Sequence, residues 1–220
     1  MTQGVTRRNQ HTYTLTILVT PMNPGRLGIY GGTFNPIHTG HLIIAQEIYE
    51  QCKLDRLLFI PSARPPHKHH ANITSPGHRY QMVELAIRDD ARFEVSDLEI
   101  HRPGLSYTVE TLTALHHLYG SSSLFFIIGA DSLLEIDTWR EPDQVFELAT
   151  IVVVPRPGVD TSKANVRWRD QILMVQSPEV DISSTDIRKR VEAGQQIQYL
   201  VPHQVEAYIR ENGLYKSGGN

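Results

Sequence analysis

A chain of 220 residues with 21 Lys and Arg against 24 Asp and Glu carries a formal charge of −3, so it has no global basic field to hold a long nucleic acid. Its 40% hydrophobic and 20% charged residues suit one sizeable buried core, and no apolar run approaches the ~18–20 residues of a membrane-spanning helix. The single cysteine, Cys52, rules out an internal disulfide framework and suits a reducing cytoplasm, with a buried structural thiol as its expected role.

Residues 1–26 form an N-terminal extension. Its TYTLTILVT alternates like a strand but is too short and too threonine-rich for a signal peptide, and Met22 is a candidate alternative start. A single domain is expected over 27–216, with a helical C-terminal part at about 183–215. Apolar, β-rich runs predict strands at Leu27–Tyr30, Leu57–Pro61, Phe93–Val95, Leu124–Gly129, Thr150–Val154 and Ile172–Val175. Helical periods fall between and after them, at His41–Cys52, His78–Arg88, Thr108–Tyr119, Pro142–Leu148, Ser184–Ala193 and Pro202–Asn212. Alternation of this kind predicts an α/β fold, a Rossmann-like doubly wound parallel sheet with helices on both faces. LFFIIG and TIVVV are near-continuous apolar runs, as strands buried on both faces should be. In such folds the ligand sits at the carboxyl ends of the strands.

GGTFNPIHTGHL, Gly31 to Leu42, lies at one of those ends. Gly31 and Gly32 let a ligand approach the main chain closely, and Thr39 is the expected N-cap of a helix running from Gly40. A helix N-terminus offers unpaired N–H groups and a positive dipole end, which attract phosphate. His38 and His41, three apart, put two imidazole donors beside it, as transfer at a phosphorus centre requires. By spacing alone, His-x-x-His also fits satisfied turn residues or a weak metal site. DISSTDIRKRV, Asp181 to Val191, supplies a second element: Ser183 or Ser184 can cap a helix, Asp186 is spaced for a capping box, and Arg188 lies one turn in. Lys189 and Arg190 read as a solvated face.

These two stretches resemble the (H/T)-x-G-H and ISST-x-IR signatures of the nucleotidylyltransferase superfamily, and the fuller strings are similar to those of bacterial nicotinate-nucleotide adenylyltransferases. The resemblance runs from Leu27 to Tyr215 and takes in PSARPPHK, SDLEIHRPGLSYTVETL, FIIGADSLLEIDTWR and VVVPRPG. It implies transfer of AMP from ATP to nicotinate mononucleotide, giving deamido-NAD and pyrophosphate. His38, His41 and Arg188 would be the catalytic residues. ATP would be held by Gly31, Gly32, Thr33, Phe34, His38, Gly40 and His41 on one side. Gly129, Asp131 and Arg156, then Ser183, Ser184, Thr185 and Arg188, would hold it on the other. The acceptor would meet Thr33, Asn35 and Lys68, with the nicotinate carboxylate near Tyr107, Thr108 and the Arg140 N–H, and Trp139 stacked on the pyridine ring. From the residues alone, Trp139 fits a core position equally, Arg156 a loop-stabilising one, and HKHH (His67 to His70) an exposed loop or a metal-binding tract. The usual family form has Asp where this chain has Asn35, which speaks against a role requiring a carboxylate there but is compatible with a side chain that caps the turn by hydrogen bonding.

The resemblance implies Mg2+ on the ATP phosphates, with no metal held by protein side chains. ATP and nicotinate mononucleotide are the expected partners, with no nucleic-acid polymer and no membrane, in the cytoplasm; a homodimer is left open. A sibling transferase with another phosphate acceptor, such as nicotinamide mononucleotide or pantetheine phosphate, and a non-catalytic nucleotide-binding module are the rival readings.

Overall fold

The computed structural model describes residues 25–65, 73–120, 122–156, 158–163 and 166–216. Six parallel strands form one sheet: β1 Arg26–Gly32, β2 Arg56–Pro61, β3 Phe93–Val95, β4 Ser123–Gly129, β5 Thr150–Val154 and β6 Ile172–Met174, in the order β3-β2-β1-β4-β5-β6. The chain steps outward from β1 through β2 to β3, then crosses back to lay β4 beside β1 (Leu27 opposite Leu124) and steps outward the other way. The direction of winding therefore reverses between β1 and β4, and a crevice opens above their carboxyl ends.

Alternation along each strand feeds two cores. Leu57 and Phe59, Phe125 and Ile127, and Val152 and Val154 face one side. There they meet helices α1 (Thr39–Gln51), α2 (Pro76–Ile87), α6 (Ser184–Glu192) and α7 (His203–Glu211) through Ile48, Met82, Ile187 and Val205. Leu58 and Ile60, Phe126 and Ile128, and Ile151 and Val153 face the other. They meet α3 (Thr108–Tyr119), α4 (Ala130–Leu134) and α5 (Pro142–Leu148) through Leu112, Leu133 and Val145. Cys52 is buried at the end of α1, and burial pushes its thiol pKa up, which suits a structural role.

The doubly wound architecture is as expected, with three differences. β1 begins at Arg26, inside the span assigned to the extension, whose first 24 residues lie outside the described ones. The short helix α4 and the 3-10 turns at Ile136–Thr138, Thr161–Lys163 and Val166–Gln171 were not anticipated, because pieces of three to six residues are too short to show a repeating helical pattern. Helix α1 starts at Thr39 with His38 as its N-cap, instead of starting at Gly40 behind a Thr39 cap. Among the described residues no helix is long and apolar enough to cross a membrane.

Candidate active site

A crevice of about 1970 Å3 opens at the switch point between β1 and β4. Every residue predicted from sequence lines it except Lys68, which with the rest of HKHH lies outside the described residues.

Its floor is the loop from β1 to α1. The chain turns sharply at Phe34, whose φ of 47° is left-handed. The Phe34 ring folds back so closely that a Cβ on Gly32 would lie 2.8 Å from it, so any other residue there would force that buried ring to shift. His38 then enters the helix in extended backbone, and its N–H donates to Nδ1 of His41 at 3.1 Å. The spacing is that of a capping box, with an imidazole in place of the usual Glu. Thr39 is drawn elsewhere: its N–H donates to the Leu200 carbonyl at 2.9 Å and its hydroxyl reaches the Tyr199 carbonyl. This explains the displaced cap. Because His41 accepts at Nδ1, its neutral ring carries the proton on Nε2.

The two imidazoles stack, with centroids 3.7 Å apart and planes at 28°. Burial, with a smaller push from Arg156, lowers the His38 pKa to about 4, so this ring is neutral near pH 7. Its Nδ1 is buried without a hydrogen-bond partner among the described residues. Positive charge here comes from the arginines and the helix end, not from the His38 ring.

The second motif packs onto the first. Ser183 caps α6, accepting from the Asp186 N–H at 3.1 Å and donating to its carboxylate at 2.7 Å. Ser184 donates to the Pro36 carbonyl at 2.8 Å, and Arg188 donates to the Asn35 carbonyl at 2.9 Å. Two segments about 150 residues apart in sequence thus form one wall. Both serine hydroxyls are engaged within the protein, so this wall presents to an anion the N–H groups opening α6 and the Arg188 guanidinium, whose other amino group donates to the Thr185 hydroxyl at 3.3 Å. Asn35 is buried, and its side-chain oxygen accepts from the Thr74 N–H at 3.3 Å and the Tyr215 hydroxyl at 3.0 Å, so these contacts tie the loop to distant segments and do not cap its own turn.

Across the crevice, Arg156 reaches from the end of β5 to Asp131 at 3.4 Å, passing over Gly129. Both side chains are more than half exposed, so the pair adds little stability and Arg156 keeps its charge available to the crevice. Further along, Trp139 is partly buried, edge-on to Phe126 with centroids 6.2 Å apart, and faces the crevice beside Tyr107 and Thr108 at the start of α3. The Arg140 side chain turns away to Glu110 at 2.7 Å and lies over the Tyr107 ring, leaving its backbone beside Trp139.

Two buried ionic residues escaped the sequence. Arg79, fully buried, donates to the carbonyls of Thr33 (2.7 Å), Thr74 (2.8 Å) and Ala63 (3.4 Å). Burial lowers its pKa to about 10, which leaves it charged. A signal existed: with Met82, Val83 and Ile87 it occupies the buried stripe of α2, where a cation needs partners. Glu99 is likewise buried, in the turn after β3. Among the described residues no group of three or more His, Cys, Asp or Glu is placed to hold a metal ion.

A model of the cytidylyltransferase-like family matches residues 29–190. A Desulfitobacterium hafniense protein named probable nicotinate-nucleotide adenylyltransferase is 46% identical over 200 residues, covering 88% of this chain and 97% of its own. A Thermus thermophilus protein of the same name is 45% identical over 191 residues, covering 87% of this chain and all of its own length. Among solved structures, the Plasmodium falciparum nicotinic acid mononucleotide adenylyltransferase complexed with NaAD superposes with a TM-score of 0.72 at 19% identity, over 87% of this chain and 97% of that one. At that identity the likeness is one of fold.

Proposed function

Because the chain belongs to the cytidylyltransferase-like family and, within it, to the nicotinate-nucleotide adenylyltransferases, we propose that it transfers AMP from ATP to nicotinate mononucleotide, giving deamido-NAD and pyrophosphate. The observation that carries the proposal is the seating of the second motif on the first, through Ser184 on Pro36 and Arg188 on Asn35, beside the stacked imidazoles.

The acceptor's phosphate is an anion at neutral pH and needs no general base. It attacks the α-phosphorus in line, and the bond to the pyrophosphate oxygen breaks as the new P–O bond forms. The Nε2–H of His41, with His38 beside it, donates to oxygens on which charge grows. Arg188 and the N–H groups opening α6 hold the departing pyrophosphate, and Arg156 adds positive charge from the opposite wall. Mg2+ would come with ATP and would supply charge neutralisation at its phosphates. No covalent enzyme intermediate forms; alignment and electrostatics supply the rate.

At the acceptor end, Trp139 stacks on the pyridine ring, while the N–H groups of Thr108 and Arg140 take the carboxylate. The charged group carries the discrimination, since hydrogen bonds to it are about twice as strong as those to an amide. With ATP as co-substrate, kcat/KM for nicotinate mononucleotide is expected to exceed that for nicotinamide mononucleotide by about tenfold or more. Equal values, or faster turnover of pantetheine phosphate, would overturn the assignment. Trp139→Ala is expected to raise KM for the nicotinate nucleotide by about five- to tenfold with kcat little changed, as loss of one stacking contact should. An unmoved KM removes Trp139 from the site.

A further inference from the structure

The acceptor wall rests on a buried carboxylate that touches no substrate in the mechanism above. Glu99 follows β3 and reaches the crevice beside Ser106, Tyr107 and Thr111 with 7% of its surface exposed. One of its oxygens accepts from the Thr111 hydroxyl at 2.7 Å, and that hydroxyl accepts in turn from Arg102 at 3.0 Å. Thr111 sits one turn into α3, so the contact pins the helix start that carries Tyr107 and Thr108. From the other side, Ser106 exchanges hydrogen bonds with the backbone of Arg64, its N–H donating at 2.9 Å and its hydroxyl accepting at 3.3 Å. The turn is therefore strung between the loop after β2 and the Glu99 carboxylate.

For stability alone this is a poor arrangement. Glu99 Oε2 and Arg102 Nη1 are both buried with no hydrogen-bond partner among the described residues. A buried charge so thinly satisfied costs more than an apolar residue of the same shape. Burial raises the Glu99 pKa, against the pull of Thr111, Ser106, Arg102 and Arg79. The last of these is the guanidinium that holds the Thr33 carbonyl, so the same carboxylate faces the cation supporting the phosphate loop.

We propose that Glu99 is a positioning residue for the acceptor: it fixes the Ser106–Thr108 turn and so sets the affinity for nicotinate mononucleotide, without touching that substrate. The inference rests on the function proposed above.

The test is steady-state kinetics on Glu99→Ala, Glu99→Gln and Thr111→Val, each with a thermal melt, alongside the wild type. Glu99→Ala is expected to raise KM for nicotinate mononucleotide about tenfold, with KM for ATP within about twofold, since small misplacements of binding groups have effects of this size. Glu99→Gln keeps an oxygen for the Thr111 hydroxyl and is expected to stay within about threefold of wild type. Thr111→Val keeps the shape, removes the donor and is expected to raise the same KM about fivefold. A folded Glu99→Ala with an unmoved acceptor KM, or with both KM values rising alike, overturns the proposal. If that variant does not fold, Thr111→Val decides, and an unchanged acceptor KM overturns it equally. Wild type that forms no deamido-NAD would mark failure of the functional reading itself, visible before any variant is compared, and this inference would fall with it.

Discussion

Replacing His41 with alanine is expected to lower kcat by two or more orders of magnitude while shifting the melting temperature by only a few degrees. The loss in rate follows from what the ring does. Its Nδ1 is occupied by the His38 N–H at 3.1 Å, so its proton is fixed on Nε2, with the ring on the crevice wall. A pre-oriented donor aimed at developing charge is worth about 10²–10³ in rate. The neighbouring His38 ring is not built to replace it, because it is buried and stacked against His41 with centroids 3.7 Å apart. The modest change in stability also follows. The variant forfeits one capping hydrogen bond, about 1 kcal/mol, and edge contacts with Tyr30 and Phe34 at a partly exposed position. Stopped assays at saturating ATP and acceptor, with a thermal melt of the same preparation, check both halves. Near-normal turnover in a folded variant would remove His41 from the chemistry.

Why was His41 legible in the sequence when its supports were not? The glycines, histidines and helix start of the first motif lie within twelve residues, so their chemistry could be read locally. The strands were legible for a related reason: in LFFIIG and TIVVV each side chain is buried whichever face it takes, and the structure divides them between two cores. The N-cap was misplaced because a rule favouring Thr ignores a side chain at the third helical position that reaches back. Here that side chain is the motif's own second histidine. Asn35 could be assigned a hydrogen bond but not its partner, since Tyr215 arrives from 180 residues away. Glu99 and Arg79 are of the same kind. Glu99 is an unremarkable charge in its own segment, and the α2 stripe says only that Arg79 needs partners; folding supplies them, bringing the Thr33 and Ala63 carbonyls to Arg79 and the Thr111 hydroxyl to Glu99.

Arg79→Met is expected to destabilise the protein by about 3–5 kcal/mol, since three carbonyls each lose a hydrogen bond from a charged donor, worth about 1.5–3 kcal/mol apiece at most. Methionine fills much of the volume, so the loss does not come from a cavity. It comes from the carbonyls of Thr33, Thr74 and Ala63, all of which accept from this one guanidinium. Glu99 also loses a cation that favours its charged form. For a domain of this size each kcal/mol lowers the melting temperature by about 2–4 °C, so a fall on the order of 10 °C should be measurable. Arg79→Lys keeps the charge but offers a single ammonium where a planar fork serves three carbonyls, and its loss should fall between those of wild type and Arg79→Met. The functional consequence separates this role from a generic core defect. Thr33 belongs to the loop that carries the imidazoles, so at a temperature where Arg79→Lys remains folded its KM for ATP should still exceed that of wild type. A methionine variant that melts with wild type, or a lysine variant with an unchanged KM for ATP, would show that the phosphate loop holds its shape without this guanidinium.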